Sequence, residues 1–343
     1  MAEYTKQEIE EIVRKYTLNQ QEYENVIRTV VEVMSGDKTA SKSPLAIVVG
    51  GQSGAGKTAL INYTSSFLSS NREFVVVDND YFRAFHPMAT EIRNLYPSLY
   101  THITDQIGLG ITSDIVSYFM GNDIILPSGN IIKNENHARY DLIFHQTLKS
   151  NRIADDAMAK LINAGYTVGV RAFAVPYFES KMSQLERCKE QFETSNFCRH
   201  VRPEDHYAAL NGIPKTLEYI ERNGKADFIE IFRRSDDIRC PELVYAKINP
   251  DRQEKTLSAI SDCENVIHED KTFGFDGAKD ALIKTWELES HKCAKTLESR
   301  LNDLKADGGD KIPGMQEHIT ELEENLAEYL NTNETVFPPF EEK

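Results

Sequence analysis

The feature that most constrains the fold is a glycine-rich segment between an apolar run and a helical pattern. It matches G-x-x-x-x-G-K-[ST] and reads Gly51, Gln52, Ser53, Gly54, Ala55, Gly56, Lys57 and Thr58. Residues 45–49 before it are typical of a strand covered on both faces, and residues 57–69 are typical of a helix. In this arrangement, backbone N–H groups and the helix N-terminus point at phosphate oxygens. The sequence therefore predicts a P-loop.

Two side chains of the predicted P-loop have chemical roles of their own. Lys57 is placed to reach the β- and γ-phosphates of ATP, and the Thr58 hydroxyl is placed to complete the coordination of Mg2+. We therefore predict ATP and Mg2+ as cofactors. Two alternatives stay open here: a chance match in a glycine-rich turn, and a degenerate loop that binds nucleotide without catalysis.

Further apolar runs indicate the rest of a sheet. Strand candidates follow at residues 74–77, 140–144, 168–175 and 228–232. Helical patterns separate them, which favours right-handed crossovers and a mainly parallel sheet flanked by helices. The predicted fold class is therefore α/β, a P-loop kinase fold with helical N- and C-terminal extensions. Such sheets bind ligands at the carboxyl ends of their strands.

Changes in sequence character divide the chain into three segments. We predict N-terminal helices over 1–40, a P-loop kinase core over 41–235 and a helical C-terminal extension over 236–343. In the last segment, residues 286–305 and 318–330 have charged, amphipathic helical patterns. We expect them to pack against the core with a solvated outer face; binding of a partner is the alternative.

The N-terminal segment has clear helix signals. Capping-box spacing occurs at Thr5 with Glu8 and again at Asn19 with Glu22, and Gly36 provides a stop. These signals predict two short helices. They either pack on the core or restrain access to the nucleotide site.

Composition limits the classes of partner. The formal net charge of −15 and the pI near 5.1 argue against a surface that binds a nucleic-acid backbone. The N-terminus has acidic residues where a signal peptide has basic ones, and no apolar stretch approaches membrane-spanning length. We therefore predict a cytoplasmic protein that binds neither nucleic acid nor membrane.

The cysteines have no recognisable pattern in the sequence. Their number is odd and their spacing suits neither a zinc site nor a redox dithiol, so we interpret them as incidental reduced thiols. They are Cys188, Cys198, Cys240, Cys263 and Cys293.

Two carboxylates follow the strand candidate at residues 74–77. Asp78 and Asp80 come at its carboxyl end, the edge of the sheet where the P-loop is also expected. A kinase that acts on a hydroxyl needs a carboxylate within hydrogen-bond reach of that group, and Asp80 is the candidate. The alternative is that D-N-D ends the strand and caps the next turn. The residues alone do not separate the two interpretations.

Four segments together resemble the zeta-toxin family of bacterial toxin–antitoxin systems. They read GGQSGAGKTAL, DNDYFRAFHP, AVPYFESKMSQLERCKEQF and RHVRPEDH, and the similarity covers roughly residues 40–235. The resemblance implies a P-loop kinase fold and phosphorylation of UDP-N-acetylglucosamine or a related UDP-sugar on a sugar hydroxyl. It also implies a small helical antitoxin as partner.

The resemblance assigns roles to individual residues. Lys57 and Thr58 become the ATP and magnesium residues, and Asp80 becomes the base that takes the hydroxyl proton. Arg187 and Arg199 match two arginines that lie against the ATP phosphates, where a guanidinium group can bind phosphoryl oxygens in a fork. Arg202 can be aligned in place of Arg199, and all three could also be ordinary surface arginines.

The chain departs from the family where the sugar is bound. The family has E-G-T-x-R after its third strand, whereas this chain has His145, Gln146, Thr147, Leu148 and Lys149. Of the family residues only Thr147 is kept, and a lysine cannot reproduce a bidentate arginine fork. We predict that His145, Thr147 and Lys149 contact the substrate.

Two further features belong to the predicted sugar site. Asp114 lies near the place of another family acid, beside Ser113, and is included as a substrate residue. Residues 122–139 are an insertion that forms a hairpin or loop over the sugar pocket or a tolerated surface excursion.

These departures leave other functions open. The first alternative is a P-loop kinase with another small acceptor, such as a nucleoside, an antibiotic or a different nucleotide sugar. The second is a nucleotide-binding regulator that no longer catalyses, against which the intact set of Lys57, Thr58 and Asp80 argues.

Overall fold

The computed structural model describes residues 4–36, 38–67, 72–196, 198, 200–237, 239–263 and 266–332. The strands are β1 Leu45–Gly50, β2 Phe74–Val77, β3 Ile124–Ile125, β4 Ile131–Ile132, β5 Asp141–Gln146, β6 Thr167–Phe173, β7 Phe228–Arg233 and β8 Glu242–Ile248. The helices before β3 are α1 Lys6–Tyr16, α2 Gln20–Ser35, α3 Lys57–Phe67, α4 Asn79–Phe82, α5 Ala89–Leu95, α6 Tyr100–Ile103, α7 Asp105–Gly108 and α8 Thr112–Phe119. Those that follow are α9 Ala159–Asn163, α10 Tyr177–Ser195, α11 Pro203–Arg222, α12 Gln253–Ala259, α13 Ala278–Ala306 and α14 Met315–Thr332. Within these ranges, every helix is too short or too polar to cross a membrane.

The central sheet has six strands in the order β2-β5-β1-β6-β7-β8. The pairs β2–β5 and β6–β7 are parallel, and β8 runs antiparallel beside β7. All residues of β1 and β6 are buried, as expected for strands covered on both faces. The predicted α/β fold with a mainly parallel sheet flanked by helices is therefore confirmed.

One strand lies in the segment that we predicted to be helical. β8 occupies Glu242–Ile248 and pairs with β7 through a register shift at Ile231 and Phe232. It is an edge strand whose pairing depends on a partner earlier in the chain. The helical interpretation of 236–343 was therefore wrong for these residues, while α13 and α14 confirm it for 286–305 and 318–330.

The chain separates into two compact units. The first contains the described residues within 1–46, 69–145 and 164–166, and the second those within 47–68, 146–163 and 167–343. The predicted division at residues 40 and 235 followed sequence character and stays a prediction.

The first unit contains the N-terminal helices. Both predicted capping boxes form: the Thr5 side chain accepts from Glu8 N, and the Asn19 side chain accepts from Glu22 N. Gly36 ends α2, as predicted. Within the inserted segment, β3 and β4 pair as an antiparallel hairpin. Its position over a sugar pocket stays a prediction.

The second unit joins the C-terminal helices to the part of the chain that carries the P-loop. α13 packs on α10, α11, β7 and β8, and α14 packs on α10 and α13. Trp286 on α13 is almost fully buried. Lys181 on α10 is also buried, and its ammonium group lies 2.5 Å from the Glu321 carboxylate on α14. The C-terminal helices are therefore part of the core of this unit.

The structure corrects our interpretation of two cysteines. Cys188 and Cys198 form a disulfide, with Cα atoms 4.8 Å apart. α10 ends at Ser195, and Asn196 takes a left-handed conformation that turns the chain back toward Cys188. The ring of His200 lies next to this pair, but sulfurs bonded to each other cannot both serve as thiolate ligands of a metal.

A buried ion pair supports the β6–β7 region of the sheet. Arg171 Nε lies 2.6 Å from Glu230 Oε2, both side chains are about 1% exposed or less, and Arg171 Nη1 donates to Thr64 Oγ1 at 3.0 Å. We expect Arg171→Met to lower the free energy of unfolding by about 3–5 kcal/mol, because it leaves an uncompensated buried carboxylate. Urea denaturation measures this change.

An exposed ion pair provides the control for this measurement. Arg222 pairs with Glu218 at 2.8 Å, and its side chain is 77% exposed. Arg222→Met should change the unfolding free energy by less than about 1 kcal/mol. A loss of similar size in both variants would contradict the argument from burial.

Candidate active site

The P-loop lies between β1 and α3 in the second unit, as predicted. Gly54 and Gly56 have φ values of 80° and 90°, a left-handed backbone that disfavours side chains. A Cβ on Gly54 would lie 2.0 Å from the backbone oxygen of Ser180 on α10. Both the backbone conformation and the close approach of α10 therefore require glycine at position 54.

Two hydrogen-bond donors of the loop converge on one acceptor. Lys57 Nζ donates to Gly51 O at 2.7 Å and to Gln52 O at 3.0 Å. The Ala55 N–H donates to the same Gln52 oxygen at 3.2 Å. An ammonium group and a backbone amide thus meet at a single oxygen. A phosphate oxygen suits this geometry, because it can accept from both donors and also carries the opposite charge.

Side chains of helix α10 form hydrogen bonds with the P-loop. Gln184 Nε2 donates to Ser53 O at 2.8 Å, and Arg187 Nη2 donates to Ser53 Oγ at 3.4 Å. Gln52 in turn donates to the carbonyl of Val175, just before this helix. The structure therefore places Arg187 beside the P-loop, while its role toward ATP stays a prediction.

An arginine that sequence analysis missed binds the loop from the end of β7. Arg234 Nη2 donates to Gly54 O at 2.7 Å, and its Nε donates to Ala55 O at 3.4 Å. Its Nη1 contacts the carboxylate of Glu179. The position of Arg234, directly after a buried strand, was the available signal, because parallel strands end at the ligand side of a sheet.

The carboxylate beside Arg234 is held in its charged form. Glu179 on α10 also accepts from Arg300 Nη1 at 2.6 Å. Burial alone would raise the pKa of Glu179, but the guanidinium groups of Arg234 and Arg300 hold that pKa below its ordinary value. These three residues form a charged chain from α13 to the P-loop.

The second predicted phosphate arginine lies outside the described residues. This is Arg199, so the structure does not place it. Its rival Arg202 precedes α11 and lies 2.7 Å from Asp205, with 77% of its side chain exposed. The choice between them stays a prediction.

In the first unit, the two aspartates that follow β2 have different surroundings. Asp78 caps α4, with Oδ1 accepting from the Asp80 N–H at 2.9 Å, so the capping interpretation applies to Asp78. Asp80 Oδ1 accepts from Arg83 Nε at 3.1 Å, and the Asp80 side chain is 58% exposed. Arg83 is buried and is held in turn by the Thr101 carbonyl and by Asp105.

Arg83 is the second residue that sequence analysis missed. It is three positions after Asp80, a spacing that brings two side chains onto the same face of a helix. This spacing was the available signal. A fixed guanidinium group on one oxygen of Asp80 limits the rotation of its carboxylate.

His145, predicted to bind substrate, pairs with Asp78. Its Nδ1 lies 3.0 Å from Asp78 Oδ2. Burial works to raise the pKa of Asp78, but the hydrogen bond from His145 keeps that pKa below its ordinary value. His145 is thus oriented by the residue that directly follows β2.

The other predicted substrate residues lie in separate parts of the chain. In the second unit, Thr147 is exposed and Lys149 Nζ lies 3.9 Å from Asp205 Oδ1. In the first unit, Asp114 lies in the first turn of α8, where burial raises its pKa. A sugar site that combines them stays a prediction.

The expectation that Asp80 lies at the same sheet edge as the P-loop, which carries Lys57, also stays a prediction. Lys57 belongs to the second unit and Asp80 to the first. What the structure shows is the surroundings of each group within its own unit.

The residues of the P-loop fit the phosphates of a nucleotide. The loop has glycines at positions 54 and 56, where the backbone is left-handed, and a lysine and an amide that are directed at one point. Thr58 is exposed in the first turn of α3, and a hydroxyl is a suitable ligand for Mg2+. This donor set is chemically appropriate for ATP with Mg2+.

The sequence profile of the family described as zeta toxin matches residues 31–240, more than half of the chain. The chain belongs to the zeta-toxin family. The matched range includes the P-loop, Asp80 and Arg187. Our prediction of the family from four segments is therefore confirmed, and with it the predicted P-loop kinase fold.

Individual relatives agree with this family. Toxin PezT of Streptococcus pneumoniae serotype 4 is 25% identical over 287 residues, 82% of this chain and 95% of that protein. Toxin zeta of Enterococcus hirae is 25% identical over 234 residues, 66% of this chain and 74% of that protein.

A solved structure shows the shared fold. It comes from the PezAT chromosomal toxin–antitoxin system of Streptococcus pneumoniae, with a TM-score of 0.60 and 20% sequence identity. The match covers 85% of this chain and 98% of that one. The fold similarity of this chain therefore extends beyond the residues that the family profile matches.

Proposed function

We propose that this zeta toxin transfers the γ-phosphoryl group of ATP to a sugar hydroxyl of UDP-N-acetylglucosamine or a related UDP-sugar. The observation that supports a phosphotransferase most directly is the convergence of Lys57 Nζ and the Ala55 N–H on one oxygen within a P-loop. Membership of the zeta-toxin family supports the toxin role.

Each residue has a distinct task in the proposed reaction. Asp80 accepts the proton of the attacking hydroxyl, whose oxygen forms a bond to the γ-phosphorus while the bond from that phosphorus to the ADP oxygen breaks. Lys57 and Arg187, with Arg199 as predicted, offset the charge on the phosphoryl oxygens. The Thr58 hydroxyl would help to hold Mg2+, which would offset negative charge on the phosphates.

An antitoxin partner is part of the proposal. The similar structure comes from a toxin–antitoxin system. By analogy, a small helical protein should restrain this zeta toxin. Co-expression with the gene next to it, followed by purification of a stable complex, would identify that protein.

A second acceptor class is favoured by one specific observation. The segment that contains His145 and Lys149 lacks the glutamate and the arginine of the family pattern, and His145 is oriented by Asp78. A different nucleotide sugar, a nucleoside or an antibiotic is therefore the alternative acceptor of the same ATP site.

The acceptor is tested by incubating the purified protein with Mg2+, γ-labelled ATP and a panel of compounds. The panel contains UDP-N-acetylglucosamine, other UDP-sugars, free sugars, nucleosides and aminoglycosides. We expect label in at least one UDP-sugar, with a mass increase of one phosphoryl group. Label only in another compound would establish the alternative, and no labelled product in a protein that binds ATP would contradict both.

A further inference from the structure

Arg234 binds two successive carbonyl groups of the P-loop. Its Nη2 donates to Gly54 O at 2.7 Å and its Nε donates to Ala55 O at 3.4 Å. The third nitrogen, Nη1, is committed to Glu179 and to Ser183 Oγ at 3.1 Å. All three nitrogens of the guanidinium group are therefore engaged within the protein.

Because the peptide bond is planar, a contact that holds a carbonyl group of the loop also fixes the direction of the N–H group that follows it. The Gly54 carbonyl and the Ala55 N–H share one trans peptide and point in opposite directions. With Gly54 O held by Arg234, the Ala55 N–H points away from the arginine, to Gln52 O at 3.2 Å. Lys57 Nζ donates to that same oxygen at 3.0 Å. The contact between Arg234 and Ala55 O orients the Gly56 N–H in the same way.

The loop needs such an external constraint. Gly54 and Gly56 have φ values of 80° and 90°, and a glycine reaches many other conformations at little cost. A chain with glycines on both sides of Ala55 does not by itself keep its amides directed at a phosphate. The free energy needed to order such a loop reduces the affinity for its ligand.

We propose that Arg234 is a positioning residue, which holds the peptide planes at Gly54, Ala55 and Gly56 in the orientation that binds nucleotide phosphates. This inference rests on the proposed nucleotide-binding function. It differs from a catalytic role, because the guanidinium group binds loop carbonyls and a carboxylate.

The constraint extends to the C-terminal helix α13. Glu179, which contacts Arg234, accepts from Arg300 Nη1 at 2.6 Å. Arg300 is fixed in turn by Glu186, with Nη2 2.8 Å from Oε2. α13 therefore contributes to the nucleotide site through Arg300 and Glu179, although it supplies none of the loop residues.

The test compares Arg234→Met with the wild-type protein in direct titration of Mg·ATP, without any acceptor. When only a fraction of the molecules has a competent loop, the apparent Kd rises by the inverse of that fraction. We expect an increase of about tenfold, with kcat at saturating ATP within about twofold of wild type because bound nucleotide restores the loop. Hydrogen exchange at Ala55 and Gly56 should be faster in the nucleotide-free variant.

The neighbouring residue provides a matched control. Arg233 is also an arginine at the end of β7, but its guanidinium group pairs with Glu242 and Glu289. Arg233→Met should leave both the Kd and the exchange at Ala55 and Gly56 unchanged. Arg234→Lys should not restore affinity, because one ammonium nitrogen cannot reproduce a planar fork on two carbonyls.

Several results would overturn the inference. An unchanged Kd and unchanged exchange in Arg234→Met would do so, as would full recovery in Arg234→Lys. A loss of kcat without a change in Kd would instead indicate that Arg234 acts on the transferred phosphoryl group, which would also overturn the inference. If Arg234→Met does not fold, the variant Arg300→Met provides the test. We expect it to raise the Kd for Mg·ATP about threefold, and an unchanged Kd would overturn the proposal.

The same measurements distinguish a failure of the proposed nucleotide binding from a failure of the inference about Arg234. Wild-type protein that does not bind Mg·ATP contradicts nucleotide binding itself. The exchange at Ala55 and Gly56 needs no ligand, so it still reports whether Arg234 holds the loop.

Discussion

Lys57→Met is expected to lower the rate of phosphoryl transfer by about 10²–10³-fold or more. The reason is that it removes one preorganised hydrogen-bond donor from the negative charge that develops in the transition state. Lys57 Nζ donates to two loop carbonyls and meets the Ala55 amide at Gln52 O. Methionine keeps the length of the side chain but has no positive charge and no donor. Initial rates at saturating ATP, with the acceptor that the labelling panel identifies, measure the effect.

The matched control for Lys57 is a lysine in the first turn of another helix. Lys279 is the second residue of α13 and pairs with Glu218 at 2.9 Å. Lys279→Met should retain nearly full activity. Equal rates for Lys57→Met and wild type would remove Lys57 from the mechanism, and equal losses in both variants would indicate a general effect of lost charge.

Asp80→Asn is expected to lower turnover by about 10²–10⁴-fold, the usual contribution of a general base. An amide has the shape of the carboxylate but cannot accept the proton of the attacking hydroxyl. The Asp80 side chain is 58% exposed, so we expect the unfolding free energy to change by about 1 kcal/mol or less. The Kd for Mg·ATP should stay within about twofold of wild type, because the base acts on the acceptor.

Asp105 is an informative control for Asp80. Both aspartates bind the guanidinium group of Arg83, Asp80 at 3.1 Å and Asp105 at 2.9 Å. If Asp80 only held Arg83 in place, Asp105→Asn would have a comparable effect on activity. We expect Asp105→Asn to keep turnover within a few-fold of wild type, about 1 kcal/mol of transition-state free energy at most. Full activity of Asp80→Asn would contradict the proposed base.

Local sequence signals predicted most elements of the fold. The apolar run at 45–49 became β1, residues 74–77 became β2 without any shift, and the two capping boxes began α1 and α2. These predictions succeeded because burial on both faces of a strand and capping of a helix depend on residues within a few positions. The P-loop was predicted for the same reason, since its glycines and its lysine lie within one segment of eight residues.

Other features depend on long-range contacts that no local pattern specifies. β8 forms because its backbone pairs with β7, and the Cys188–Cys198 disulfide forms because the chain turns back at Asn196. Arg234 reaches the loop across about 180 positions of sequence. Each depends on a contact between segments whose spacing carries no information, so composition and periodicity could not predict it.

The sequence by itself determined the P-loop, because its residues from Gly51 to Thr58 form one continuous segment and their spacing is constrained by the geometry of backbone amides. Only the tertiary structure decided how that loop is held. Arg234 directly follows β7, Glu179 lies on α10 and Arg300 lies on α13. A charged chain of this kind exists only when packing brings its members within hydrogen-bond distance.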